Sequence, residues 1–171
     1  KEKEIEKAFL EWQKENAMIL SPKQAEAVRN LRYRISIVTG GPGTGKTTCL
    51  RAIMDVYHKV WPSEHILLMA PTGLAAKRMA ESTGMNSATI HKACGLVPAD
   101  NPSGFAAQGE CRICGFVGID EMSMVGEHLF AFAVDAIVNS PSTRIVLLGD
   151  TDQLAPVTRG DVLRDLIQCG V

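Results

Sequence analysis

The sequence of 171 residues contains no apolar run approaching the roughly 18 residues that a membrane-crossing helix needs; the longest strand-like runs cover 66–70 and 145–148. A membrane-spanning helix is therefore excluded. The opening Lys1-Glu2-Lys3-Glu4 lacks the apolar stretch of a secretory signal, and the missing initial Met points to a piece excised from a longer chain. An excess of one charge is missing too. Eighteen Lys and Arg against 19 Asp and Glu leave a net charge of -1, so no global basic field exists and any polyanion must be held locally. Five cysteines, odd in number and irregularly placed, do not form a disulfide framework and suit a reducing cytoplasm. Internal repeats and low-complexity tracts are absent. What is present is 46% hydrophobic and 22% charged residues, enough apolar material for one globular core at a length typical of about one domain.

Ile5, Phe9, Trp12 and Ala17 recur at near-helical spacing among charges, with Lys7 and Glu11 four apart, which predicts an amphipathic leading helix over residues 1–19. The remaining 20–171 read as one domain. Four short apolar runs, 35–38, 66–70, 116–119 and 145–148, each end in Gly, Pro, Thr or Asp and predict buried strands. Helical patterns lie between and after them at about 46–59, 74–83, 126–138 and 161–168. Such alternation predicts an α/β fold, a mainly parallel sheet with helices on both faces and a ligand at the carboxyl ends of the strands. The stretch 95–112, holding Pro98, Asn101, Pro102, Ser103 and Gly104, predicts an irregular surface excursion.

Gly40-Gly41-Pro42-Gly43-Thr44-Gly45-Lys46-Thr47 fits GxxxxGK[ST] and lies between a predicted strand and a predicted helix, the context a phosphate-binding P-loop requires. Glycines turn successive amides inward and the helix N-terminus adds partial positive charge, so a phosphate chain can be cradled. Gly41, Gly43, Thr44, Gly45, Lys46, Thr47 and the adjoining Thr48 are thus candidates to bind ATP. Lys46 would reach the β and γ phosphates, and the Thr47 hydroxyl would face Mg²⁺. The strand ending in Asp120-Glu121 supplies the second half of such a site: Asp120 as a metal residue and Glu121 as the base that polarises the attacking water. These two motifs do not by themselves choose among kinases, GTPases, transporters and helicases.

Six ordered segments narrow the class. They are Leu20 to Val28, the P-loop, Ala70-Pro71-Thr72-Gly73-Leu74-Ala75-Ala76-Lys77-Arg78, Thr89-Ile90-His91-Lys92, Ile119 to Met124, and Leu148-Gly149-Asp150-Thr151-Asp152-Gln153-Leu154. Together with the tail Gly160 to Leu166, they resemble superfamily 1 DNA helicases of the RecD/TraA-like group. The resemblance implies the first RecA-like domain of a motor that spends ATP to move along single-stranded DNA, 5′ to 3′. It implies that Gln24 contacts adenine, and that Asp150 and Gln153 sit at the γ-phosphate and report it to the DNA track, with Gln153 joining Lys46 and Glu121 in catalysis. Pro71, Thr72, Thr89 and His91 would touch the strand. A second RecA-like domain would supply arginines to the γ-phosphate, and nuclease or recombination subunits are further implied partners. One departure is Ala155, where the family often has Pro after the Gln-Leu pair.

Several residues carry plainer readings beside these. Gln24 can be a surface glutamine, Thr72 a helix N-cap, His91 a packed surface histidine, and Lys77 and Arg78 the wet face of their helix. His91-x₂-Cys94 and Cys111-x₂-Cys114 match zinc-site spacing, against the alternative of unligated cysteines. Two rival functions also stand: a regulatory P-loop module that never translocates, and another P-loop phosphotransferase such as a small-molecule kinase.

Overall fold

A computed structural model describes residues 1–138, 140–153 and 156–170. The leading segment is helical as α1 (Glu2–Glu15), shorter than the periodicity predicts, and Ala17 turns the chain with φ +48°. Helix α2 (Pro22–Arg29) follows, started by a capping box in which Ser21 and Gln24 each accept the other's backbone N–H, with Pro22 at its first position. A single 3₁₀ turn at Asn30–Arg32 leads into β1 (Ile35–Thr39), then α3 (Lys46–Val60), β2 (Ile66–Ala70) and α4 (Gly73–Thr83). After β3 (Ser87–Thr89) and the short α5 (Ile90–Ala93) come β4 (Leu96–Pro98) and β5 (Phe105–Ala107). The chain ends through β6 (Phe116–Ile119), a 3₁₀ turn at Met122–Met124, α6 (Glu127–Ala136), β7 (Arg144–Gly149) and α7 (Val162–Gln168).

Five strands form one sheet in the order β1-β7-β6-β2-β3, every pair parallel, as the alternating pattern predicts. Side chains alternate across it. Leu68, Phe116, Val146 and Leu148 enter a core with α1, α2 and α3, while Met69, Val117, Ile119 and Leu147 enter the core that holds residues of α5, α6 and α7. Helices therefore cover both faces. All four predicted strands are present within a residue of their expected ends. Among the strands, the three-residue β3 and the antiparallel β4–β5 hairpin, inside the stretch expected to be irregular, escape the periodicity, as do the helices α2 and α5. Ala99 N–H donates to the Gly104 carbonyl at 3.0 Å, and the Asn101 side chain accepts from Ser103 N–H at 3.1 Å to turn the hairpin.

Helix α1 is fastened to the rest of the fold. Ile5, Phe9 and Trp12 are buried in the same core as α3, each such side chain worth about 1.5–3 kcal/mol of burial. The Trp12 indole donates to the Asp55 carboxylate at 2.8 Å, and the Arg29 guanidinium grips Glu6 with bonds of 2.7 and 2.9 Å. No helix among the described residues is long and apolar enough to cross a membrane.

Candidate nucleotide site

Apart from the Leu20 to Val28 segment, which forms α2 and its cap, every polar segment singled out from the sequence falls at or just beyond the carboxyl end of a strand. The P-loop follows β1, Pro71 and Thr72 follow β2, Thr89 ends β3, Asp120 and Glu121 follow β6, and Asp150 follows β7. Parallel pairing keeps these tips level: Thr39 is registered with Gly149, and Ala70 with Thr89.

In the P-loop, Gly43 and Gly45 take φ of +73° and +81°, the left-handed region that other residues enter at a cost. A Cβ placed at Gly41 or Gly43 would meet nothing within 4 Å, so the loop encloses open space rather than protein. At Gly45, which caps α3, a Cβ would lie 2.5 Å from Gln24 Nε2. The Lys46 ammonium donates to the carbonyls of Gly40 and, at 3.0 Å, Gly41, while the Thr44 hydroxyl donates to the Gly41 carbonyl at 2.9 Å. A cation held on carbonyls that have no charge of their own is ready to exchange them for an anion.

Two cavities meet at this loop. One, of about 350 Å³, brings Gly43, Lys46 and Thr47 together with Asp120 and Glu121. The other, of about 510 Å³, runs between α2 and β1, lined by Gln24, Asn30, Val38 and Cys49 among others. Both include Thr44, Gly45 and Lys46 in their walls, so the two cavities adjoin at the P-loop. Gln24 spans the junction: its Oε1 accepts from Ser21 N–H at 3.0 Å, and its Nε2 donates to the Thr44 carbonyl at 3.4 Å.

Asp120 Oδ1 accepts the Glu121 N–H at 2.8 Å. Burial pushes the Asp120 carboxyl above its ordinary range, against the opposing pull of that N–H and of Lys46. Burial likewise raises Glu121, with repulsion from Asp120 and Asp150 added and attraction to Lys46 and Arg78 opposing. Glu121 holds φ +54°, ψ +41°, a left-handed conformation unusual for a residue with a side chain. Such strain persists where surrounding structure imposes it. A Thr hydroxyl and a carboxylate facing one phosphate-sized space form a donor set suited to Mg²⁺, which keeps several of its own waters.

The structure places the other predicted residues unevenly. Asp150 is buried, its Oδ1 accepting Asp152 N–H at 3.0 Å, whereas Gln153 is exposed and outside the walls of the phosphate cavity. Leu154 and Ala155 lie outside the described residues. Thr72 caps α4 by accepting Ala75 N–H at 3.2 Å, and Thr89 caps α5 by accepting Lys92 N–H at 3.2 Å. The two caps stand side by side at the tips of β2 and β3. His91 is half-buried, its Nε2 without a hydrogen-bond partner and its ring 4.4 Å from that of Phe105 on the hairpin. Among the described residues no three of His, Cys, Asp and Glu converge as a metal cage; Cys111 Sγ rests on the Ala93 carbonyl at 3.1 Å. Among the residues that no sequence motif marks for this role, Met79 and Ser82 line the phosphate cavity, and Arg78 acts on Glu121. All three sit on α4 at helical spacing, a signal visible only once that helix is set against the P-loop.

Residues 24–159 match the family of the AAA domain, most of the chain and all of this site. The chain belongs to that family. This AAA domain is similar to the ATP-dependent RecD2 DNA helicase of Deinococcus radiodurans, 38% identical over 151 residues that make up 87% of the chain and 20% of the relative. It is similar too to the RecBCD enzyme subunit RecD of Mycolicibacterium smegmatis, 35% identical over 168 residues, 85% of the chain and 30% of the relative. The AAA domain thus spans only a fraction of these proteins' length. Among solved structures, the Pif1 helicase from Candida albicans superposes with a TM-score of 0.59 at 27% identity, over 82% of this chain and 34% of that one. Bacteroides Pif1 bound to single-stranded DNA gives 0.52 at 23% identity, over 90% and 37%. The RecD-like resemblance and the RecA-like α/β fold expected from the motifs are both borne out.

Proposed function

We propose that this chain is the first motor domain of an ATP-dependent DNA helicase, coupling ATP hydrolysis to movement along single-stranded DNA in the 5′ to 3′ direction. The observation that carries the reading is the single cavity in which Lys46 and Thr47 of the P-loop face Asp120 and Glu121. A triphosphate seated there would draw Lys46 off its carbonyls onto the β and γ phosphates, while Gln24 exchanges a backbone partner for the edge of adenine. Mg²⁺ held by Thr47 and Asp120 would supply charge neutralisation at those phosphates. Glu121, raised in basicity by burial and by Asp120, takes a proton from the attacking water. Asp150 and Gln153 serve the γ-phosphate.

Pro71, Thr72, Thr89 and His91 form the edge for the nucleic-acid strand. Phosphates bound through helix-start amides at Thr72 need no net basic charge, in accord with the chain's balance of -1. Arginines from a second RecA-like domain would complete the phosphate site, and an arginine supplied in this way is worth about 10³–10⁵ in rate. Nuclease or recombination subunits are further partners in this reading, and the cytoplasm its compartment.

The test is ATP hydrolysis by the full-length protein beside residues 1–171, each with and without single-stranded DNA. Strong stimulation in the full-length protein with slow turnover in the isolated domain is expected. Hydrolysis indifferent to DNA in both would replace this reading with a regulatory module or a phosphotransferase.

A further inference from the structure

We infer that Ser123 is a positioning residue for Gln153, orienting its carboxamide toward the γ-phosphate; the inference rests on the role proposed above for Gln153. Ser123 lies two residues beyond Glu121, in the 3₁₀ turn that follows β6, and is only 4% exposed. Its hydroxyl donates to Gln153 Oε1 at 3.1 Å, across 30 residues of sequence. A buried hydroxyl that finds its partner on an exposed side chain ties that side chain down where solvent would otherwise leave it free.

The bond also selects which end of the amide is available. A glutamine carboxamide has an accepting oxygen and a donating nitrogen, and an anionic phosphate needs the donor. With Oε1 occupied by the Ser123 hydroxyl, the Nε2 hydrogens remain for the phosphate. The backbone around the pair is tightly set. A Cβ at Gly149, the last residue of β7, would lie 3.3 Å from Met122 Cβ and 3.4 Å from Ser123 N, so the tip of β7 presses on this turn. The Gln153 N–H in turn donates to the Asp150 carbonyl at 3.3 Å. One rigid turn thereby carries Glu121, facing the water to be activated, and Ser123, holding the group that senses the phosphate. Among the described residues, no other side-chain hydrogen bond joins the β6 turn to the segment after β7.

The test is made in the full-length protein, with Ser123→Ala, Ser123→Thr, Gln153→Ala and the double variant Ser123→Ala/Gln153→Ala. Affinities for ADP and for a non-hydrolysable ATP analogue are measured with kcat and KM for DNA-stimulated hydrolysis. Ser123→Ala is expected to leave ADP binding within about twofold, and to lower analogue affinity and kcat roughly three- to tenfold, the range of one lost hydrogen bond. Ser123→Thr, which keeps the hydroxyl, restores them, and the double variant is no worse than Gln153→Ala. Equal losses of ADP and analogue would show a merely structural serine and overturn the inference, as would losses that add in the double variant. Gln153→Ala impaired while Ser123→Ala is unaffected would sink the positioning role alone. Gln153→Ala indistinguishable from the unmodified protein would remove the γ-phosphate reading itself, and the inference with it. Since Gln153 is exposed and both alanine variants only remove atoms, the comparison stands even if the extra methyl of Ser123→Thr packs poorly.

Discussion

Substituting Gly45 by Ala tests how the P-loop and Gln24 are joined. Two terms act at this position. Gly45 has φ +81°, and an L-residue in the left-handed region costs about 1–2 kcal/mol. Reduced freedom of the unfolded chain returns about 0.4–1 kcal/mol for a Gly to Ala change. The new methyl would also sit 2.5 Å from Gln24 Nε2, and because that atom ends a flexible side chain, Gln24 swings away rather than the backbone moving. Its bonds to the Thr44 carbonyl and the Ser21 N–H are then lost; both are exposed, so each counts near the lower end of about 0.5–1.5 kcal/mol, about 1 kcal/mol together. Gly43 supplies the control, since it has φ +73° but nothing within 4 Å of its Cβ, so Gly43→Ala carries the backbone term alone. Urea unfolding read by Trp12 and Trp61, both buried, gives each stability by linear extrapolation. Gly45→Ala should lose about 1–2.5 kcal/mol and Gly43→Ala about 1.5 kcal/mol or less, with the difference between the two set by the roughly 1 kcal/mol of the Gln24 bonds. In a Gln24→Ala background the excess at Gly45 should vanish. Equal losses at the two glycines, or an excess that survives removal of Gln24, would refute the argument.

Lys46→Ala removes a charge-assisted contact of about 1.5–3 kcal/mol, so ATP affinity by titration calorimetry should fall by about tenfold or more; unchanged affinity would take the lysine out of the phosphate site. Glu121→Gln should preserve ATP binding and abolish DNA-stimulated turnover, and turnover comparable to that of the parent protein would deny Glu121 the role of base. Burial lowers the His91 pKa below its ordinary value of 6.5, so the unfolded chain takes up its proton more readily than the folded one. The stability contributed by neutral His91 is therefore complete above that value and drains away as pH falls toward the folded pKa. Urea midpoints between pH 7.5 and 5.5 should drop less in His91→Phe than in the parent; an equal drop would place the pH dependence elsewhere.

The strands that could be read from sequence are those whose residues are apolar on both sides of the sheet, such as Phe116–Ile119, where every residue is buried. Ser87–Thr89 could not be read that way. Its three residues are small or polar, and what makes them a strand is the row of bonds offered by β2 beside them. The hairpin was hidden by its own turn chemistry, because Pro98, Asn101, Pro102 and Gly104 signal a break without showing that short strands flank it. At the site, Lys46, Thr47, Asp120 and Glu121 follow from motifs because each motif contains its own local geometry: strand, turn, helix or strand tip. Ser123 and Arg78 do not, since their partners are brought to them by folding. The same holds for α1, whose helical period is plain in Ile5, Phe9 and Trp12 while its anchorage to Asp55 and Arg29 is long-range.

The position of β1 has a consequence for how the domain is made. Among the described residues its one sheet neighbour is β7, with Ile35 registered against Ile145. During synthesis, the strand that carries the P-loop leaves the ribosome before β7 and must wait until the chain has grown through Gly149 before its ladder can close. Closure over so long a separation is slow, whereas α1, α2 and α3 are near neighbours in sequence and can pack as they emerge. Those helices can cover Val38 as they emerge, whereas Ile37, on the other face of β1, belongs to the core built with α5, α6 and α7, so the strand beneath the phosphate loop is sealed on both faces only when the end of the domain is in place.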